Sequence, residues 1–318
     1  MPNDTTNLSA RELKNTEQVL KSVGISEVEN IDPQTFANMV LRQTRANLVM
    51  RDVAAEVNRD LVGNAGSTID YREIGALDAN DKSEFNATSD QSLAFPAIRI
   101  GVDVKQTIVP ISDEAQEDAN LDVAQSVSEE IGVALARVND QDAYDMVSDP
   151  DYSLDELKYG SGDTLGDFAY SQELGNAGEV TFTELTELAG TMRQNDQPVD
   201  SLVISEEHGH KIVDEELFHL ANERGDDLGR TEGRIGRIVG TDVYTTSQAN
   251  GYSASADGSV QGVMLASDRA FVEAVKREPR MELKRKPQTG EDIIVGSIRY
   301  GHEVYDAEAI GHLVNPSA

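Results

Sequence analysis

The sequence predicts an α+β fold, on three observations. Helix-period and strand-period segments are mixed along the chain without the regular strand–helix–strand rhythm of a doubly wound sheet. Ile98, Ile100, Val102, Val104 and Ile108 alternate with Arg99, Gly101, Asp103, Lys105 and Thr107, the mark of a strand with two unlike faces. Soon after comes one helical pattern of about ten turns.

Taken in order, Met1–Asp32 is poor in apolar residues and reads as an arm with one weak helix near Ala10–Ser22. From Pro33 the pattern changes. Phe36, Val40, Leu48, Val49, Val53, Val57 and Leu61 recur at helical spacing, with Asp32 as N-cap and Pro33 at the first helical position. Gly63 and Gly66 end this helix.

Ile69, Tyr71 and Ile74 then begin an extended stretch that returns through Ile98–Ile108, and the residues between, Asp78–Ser92, are almost wholly polar. The simplest arrangement is a long hairpin with a flexible, polar tip. A two-stranded ribbon is marginal in water by itself, so this one is expected to lie on something else. That is a first hint of assembly.

Ser112 is placed to cap the long helix, with Asp113 and Glu114 in its first turn, where the helix dipole favours acids. Val123, Ala124, Val127, Ile131, Ala134, Leu135 and Val138 form its apolar stripe, extended by Met146 and Val147 until Pro150. Glu117, Asp118, Glu129, Glu130, Asp140 and Asp142 are expected on the opposite, solvated face. Asp149–Gly178 shows no clear period. Thr183–Arg193 reads as a helix, Ser201–Ile204 as a buried strand and Glu206–Arg224 as helical, before a charged, glycine-rich loop at Gly225–Gly233. Arg237–Ser247 is a strand pair broken at Gly240. Val263–Ala266 is a buried strand, an apolar segment surrounds Phe271, and Met281–Lys286 and Ile293–His302 are further strands.

Charge is the unusual feature of the composition. Acids number 58 against 27 bases, for a formal net charge of −31, and among the bases 18 are Arg and 9 Lys. Such a surface repels itself in dilute buffer. In molar salt the screening length falls to about 3 Å and the repulsion largely disappears. The acids are spread along the chain rather than gathered in one tail, so adaptation to a salt-rich cytoplasm is preferred over a patch that binds cations or basic partners. With no Cys there is no disulfide, thiolate metal site or cysteine nucleophile. The charge also argues against nucleic acid as an affinity ligand.

No catalytic constellation emerges. His208, His210 and His219 offer imidazoles, with Glu206, Glu207 and Asp214 nearby, but an H-x-H pair at a helix start points its rings apart, so a structural or surface role is preferred. Gly229, Gly233, Gly236 and Gly240 match no phosphate-loop spacing and read as turn glycines. Acid pairs such as Asp113–Glu114 and Asp226–Asp227 are expected by chance on a salt-adapted surface. Neither enzyme activity, metal nor cofactor is expected. One cluster opposes the charge of the rest: Lys276, Arg277, Arg280, Lys284, Arg285 and Lys286, with only Glu278 and Glu282 among them. Pairing with an adjacent subunit, or internally with the acidic helix Asp113–Asp142, ranks above contact with DNA.

The order of elements, together with local sequence, resembles the major capsid proteins of tailed viruses, the Hong Kong ninety-seven type of fold shared in outline with encapsulin shells. "TIDYREIGALDAND" (Thr68–Asp81) resembles the entry to that family's extended loop, and "QTIVPISDEAQEDA" (Gln106–Ala119) the return into its spine helix. "SLVISEEHGHKI" (Ser201–Ile212) and "GRIVGTDVYTTS" (Gly236–Ser247) resemble pieces of its axial domain.

The resemblance implies an N-terminal arm (1–62), an extended β-hairpin loop (63–111), a peripheral domain with the spine helix (112–177), an α/β axial domain (178–268) and return strands (269–318). Arm and loop would reach across neighbouring subunits. By the same resemblance the chain self-assembles, as pentamers and hexamers, into an icosahedral shell around double-stranded DNA that it does not read by sequence. Portal, scaffold or decoration proteins are candidate partners, and no membrane is involved. A separate scaffold protein or none is expected, because the chain has no room for a large scaffolding segment of its own. Assembly would occur in the host cytoplasm and the product would be the virion, with a halophilic archaeal host expected from the charge. The candidate subunit-contact residues are Arg99, Asp103 and Lys105 on the strand's polar face, with Arg277, Arg280, Lys284 and Arg285. The rival readings are an encapsulin-like compartment and, more distantly, a salt-adapted enzyme.

Overall fold

The computed structural model describes residues 49–72, 95–118, 123–175, 180–214, 234–238, 240–246, 259–266 and 268–315. The expected helix at Ala10–Ser22, the hairpin tip Asp78–Ser92 and the loop Gly225–Gly233 lie outside the described residues. In chain order the elements are α1 (Val49–Asp52), β1 (Glu56–Asn58), β2 (Thr68–Arg72), β3 (Ala97–Gly101), β4 (Asp103–Ser112), α2 (Asp113–Asp118) and α3 (Val123–Ser148). There follow α4 (Leu165–Phe168), β5 (Tyr170–Glu173), α5 (Phe182–Gln194), β6 (Ser201–Ser205), α6 (Glu206–Asp214), β7 (Arg234–Ile238) and β8 (Thr241–Thr246). Last come β9 (Val260–Leu265), β10 (Phe271–Lys286), β11 (Glu291–Val304), a 3-10 turn (Ala307–Ala309) and β12 (Ile310–Val314).

The sheets among the described residues run β1-β10-β11-β4, β5-β12-β9-β6-β8-β7 and β2-β3. The chain divides into two compact units. Among the described residues, one takes in those of Lys105–Leu135 and Pro279–Ile298, and the other those of Ala46–Val104, Ala136–Glu278 and Arg299–Ala318.

In the first unit, Ile131 and Leu135 on α3 bury against the β10–β11 hairpin, where Met281, Ile294 and Ile298 are also buried. Gly296 permits this approach, because a Cβ there would sit 2.2 Å from the Ile131 Cγ2 atom. Ser112 caps the start of α2 as its sequence position predicts, its hydroxyl accepting the Ala115 N–H at 3.2 Å.

In the second unit the six-stranded sheet is covered on both faces. Leu202, Ile204 and Met264 pack with Leu185, Leu188 and Met192 of α5. The alternate residues Val203, Val263 and Leu265 pack with Tyr144 and Val147 of α3, and with Phe271 and Ile310. Burial on two faces explains why β6 and β9 read as continuous apolar runs rather than alternating ones. Helix α5 starts at Thr181, whose main-chain N–H donates to Glu184 at 3.0 Å in a capping box. The tight β7–β8 connection passes through Gly240 at φ +85°, a left-handed conformation that favours glycine.

The β2–β3 pair is antiparallel, as a hairpin requires, with Thr68 opposite Gly101 and Ile69 opposite Ile100. Its apolar face packs, with Leu61 and Val102, on Val272 and Ala274 of β10. The support for its base is therefore the chain's own sheet.

Four expectations need correction. The helix predicted to run to Leu61 stops at Asp52, and Val57 lies in β1, which pairs in parallel with β10 at Val57–Glu273. A free edge of β10 outweighs helical spacing there. The alternating stretch Ile98–Ile108 is two strands rather than one, because pairing changes at Val102 from β2 to β11. Its even-numbered side chains are buried through Val102, but Val104 and Ile108 are 52% and 58% exposed. On α3, Val138 is exposed, whereas Asp140, expected on the solvated face, is 2% exposed. Finally, the Phe271 segment and Met281–Lys286 form one strand of 16 residues.

Candidate functional site

In the second unit, the Arg99 guanidinium grips Asp70 across the hairpin through two hydrogen bonds of 2.8 and 3.1 Å. This holds the Asp70 carboxyl below its usual range. The Arg99 main-chain N–H donates to Asp155 at 3.1 Å. Asp103 is exposed and Arg277 half-buried. Lys276, from the same basic cluster, donates to the carbonyls of Asn64 and Gly66 and so holds the loop that β2 follows.

In the first unit, Lys105 is half-buried on β4. Alternation on β10 sends Arg280, Lys284 and Lys286 to one face and Arg285 to the other. Arg285 makes a two-pronged contact with Asp113 at 2.5 and 2.6 Å and a further bond to Asp292 at 3.0 Å. The internal pairing with the acidic helix is therefore real for this residue. Arg280 pairs with Glu282 at 2.6 Å. Lys284 and Lys286 are exposed and form no ion pair among the described residues.

Because the Arg285 pair is half-exposed, its stability contribution is small and screened by salt. Arg285→Gln is expected to lower the unfolding midpoint slightly in dilute buffer and not measurably in molar KCl. Thermal unfolding at the two salt concentrations checks this.

Sequence reasoning missed a group of buried carboxylates in the second unit. Asp140 accepts the main-chain N–H of Met50 at 2.7 Å and the Thr246 hydroxyl at 3.2 Å. Burial pushes its carboxyl up to about 6. Glu273, 1% exposed, meets Arg51 at 3.0 Å and accepts the Asn139 amide at 3.0 Å, while the Asn139 oxygen lies 2.7 Å from a ring nitrogen of His302. Glu303 accepts the Tyr152 hydroxyl at 3.0 Å, and burial pushes it up to about 7. On β11, the Tyr300 hydroxyl donates to Asp142 at 2.7 Å. A signal for Asp140 existed, since it shares a face with Ala136, Ala143, Tyr144 and Val147 at helical spacing. For Glu273 and Glu303 nothing local distinguishes them from surface acids.

His208 is buried, with one ring nitrogen 3.0 Å from the Gln261 side-chain oxygen. His210 is exposed, and His219 lies outside the described residues. Among the described residues no three His, Cys, Asp or Glu side chains form a group able to hold a metal ion, and no helix is long and apolar enough to cross a membrane.

Comparison with known proteins bears on the fold. Residues 31–144 match the model of the phage capsid family. Among solved structures, the capsid of cyanophage P-SCSP1u is similar with a TM-score of 0.61 at 17% identity, covering 83% of this chain and 88% of that one. The mature capsid of bacteriophage PhiM1 is similar at 0.59 and 11% identity, covering 85% and 87%. A chain of Mycobacterium phage Che8 is similar at 0.57 and 16% identity, covering 84% and 91%. Among curated protein sequences none matches. The α+β fold is thus that of tailed-phage capsid proteins.

Proposed function

We propose that this chain is the major subunit of an icosahedral virus shell, built from pentamers and hexamers around double-stranded DNA and suited to high salt. The observation that carries the reading is the extent of the likeness: more than four-fifths of this chain and of each phage capsid chain named above superpose. Two features of the chain support self-association. Strand β4 is an edge of its sheet among the described residues and exposes Val104 and Ile108. Long edge strands bearing exposed apolar side chains are liabilities unless another surface covers them. Lys284 and Lys286 offer cations to a chain whose net charge is −31, so acidic faces of neighbouring copies are their natural complement.

In this reading the N-terminal arm and extended loop reach to neighbours, α3 and the β10–β11 hairpin build the peripheral domain, and the lobe of residues 178–268 is the axial domain. Arg99, Asp103, Lys105, Arg277, Arg280, Lys284 and Arg285 lie at or near subunit contacts. Portal, scaffold or decoration proteins are its candidate partners, and the shell is assembled in the cytoplasm of a halophilic host.

The test is assembly itself. Purified chain in molar KCl is expected to sediment as closed particles, visible by electron microscopy, that loosen on dialysis into dilute buffer. Particles unchanged by dialysis would remove the salt clause. A chain that stays monomeric in molar salt would overturn the shell reading. Particles made in the native host and containing a packaged enzyme instead of DNA would replace the virus with a compartment.

A further inference from the structure

The least expected feature of the second unit is a carboxylate where a structural protein ordinarily places an apolar or neutral polar side chain. Asp140 sits on α3 among Ala136, Ala143, Tyr144 and Val147, all buried. It reaches across 90 residues of sequence to the Met50 N–H and across 106 to the Thr246 hydroxyl. The Val49 N–H is also directed to it. Three separate pieces of chain, α1, α3 and β8, are thereby joined through one side chain.

No cation among the described residues neutralises it. On the N-terminal segment, Asp52 adds a like charge and Arg51 is engaged by Glu273 at 3.0 Å. On α3 itself, Asp142 accepts from Tyr300. From β8 come Thr246 and the half-buried Tyr244, while Asp242 on that strand pairs with Arg237 at 3.2 Å.

We propose that Asp140 is a proton-operated clamp: the neutral carboxyl holds residues 49–58 firmly to α3 and β8, and ionisation loosens that hold. The physical basis is the balance between burial and hydrogen bonding. Two N–H groups and a hydroxyl favour the carboxylate, but they do not offset the loss of water around an unpaired charge. When the segment lifts away, water returns to Asp140 and the ionised form is favoured again.

The sign follows from linkage. The carboxyl of the docked state titrates at about 6 against an ordinary 3.8. Docking therefore binds protons, is tightest below the ordinary value and weakens as pH rises through about 6. The gap between the docked and ordinary values corresponds to a change of about a hundredfold in the docking equilibrium between pH 4 and pH 8. The clamp concerns the single chain and does not depend on the shell reading.

The test is hydrogen exchange of the full-length chain in molar KCl, followed by mass spectrometry and corrected for the intrinsic pH dependence of amide exchange. Peptides spanning 49–58 are expected to be about tenfold better protected at pH 5 than at pH 7.5, the loss levelling off above about 6, while peptides of β9 change little. Asp140→Asn keeps an oxygen for the Met50 N–H and cannot ionise, so it is expected to show the acid level of protection at both pH values. Asp140→Ala is expected to show low protection at both. Protection of 49–58 in the wild-type chain that does not vary between pH 5 and 7.5 would overturn the proposal. So would a pH profile in Asp140→Asn identical to wild type. Protection of β9 in each variant separates loss of the clamp from loss of the fold.

Discussion

Gly301→Ala is expected to abolish the folded state of the second unit, or to leave it several kcal/mol less stable, although it adds a single methyl group. A Cβ at position 301 would lie 1.8 Å from the carbonyl oxygen of Gly101, 2.9 Å from its carbon and 3.3 Å from the Val102 Cα. All three are main-chain atoms, so no rotamer change relieves the overlap. Strand β11 or the β3–β4 corner must move.

That corner is where the chain passes from pairing with β2 to pairing with β11, and Arg299 adds a 3.4 Å bond to the Val102 carbonyl there. Displacing it also disturbs Val102, Ile100 and Val272, which share one buried cluster. Overpacking alone costs about 1–3 kcal/mol where side chains can yield, and a main-chain clash belongs above that range. Gly190→Ala is the matched control. It lies within helix α5 with open space around the position of its Cβ, and is expected to gain about 0.5–1 kcal/mol from helix propensity. Denaturant unfolding of the two variants beside wild type decides the matter. A Gly301→Ala midpoint equal to wild type would refute the close packing described here.

The two glycines show where sequence reasoning reaches and where it stops. Local pattern located β2 with β3, the cap that Ser112 gives to the short helix α2, α5, β6 and the β7–β8 pair, because each is specified by caps, turns and periodicity within a few residues. It misjudged places where distant chain decides. Val57 has helical spacing but finds an edge of β10 to pair with. Val104 and Ile108 continue the alternation of Ile98 and Ile100, yet the surface that buries the earlier pair ends at Val102. Gly101 and Gly301 meet only because 200 residues of intervening chain fold back, and no local motif records that.

The candidate contact residues divide in the same way. The charge cluster of 276–286 was visible as a run of bases, but which of them is engaged depends on Asp113, Asp292 and the carbonyls of Asn64 and Gly66. The buried carboxylates were the least legible part. In a chain with 58 acids, Glu273 and Glu303 look like any of the others until folding brings Asn139 to the first and Tyr152 to the second.

Glu273 gives the second large effect. Glu273→Met preserves the length of the side chain but leaves Arg51, whose side chain is 13% exposed, without its close counter-charge. Glu278, at 3.9 Å, is too distant and too exposed to replace it fully. The Asn139 amide also loses its acceptor, and with it the link from α3 to His302 through the Asn139 oxygen is less firmly oriented. Removing one member of a buried pair typically costs about 3–5 kcal/mol, because an uncompensated charge remains in a poorly solvated place. The cost arises from the orphaned arginine rather than from the strength of the original bond.

The double variant Arg51→Met/Glu273→Met therefore distinguishes the two accounts. Two apolar side chains of similar volume fill the same space with no charge to desolvate, so at least half of the lost stability is expected to return. Unfolding free energies of the wild type, both single variants and the double variant, measured in molar KCl, form the cycle. If the two losses simply add, Arg51 and Glu273 act separately and the joint between the N-terminal segment and β10 rests on packing alone. If the double variant recovers, the pair is held for its position, tying residues 49–58 to the sheet where Asp140 grips them from the helix.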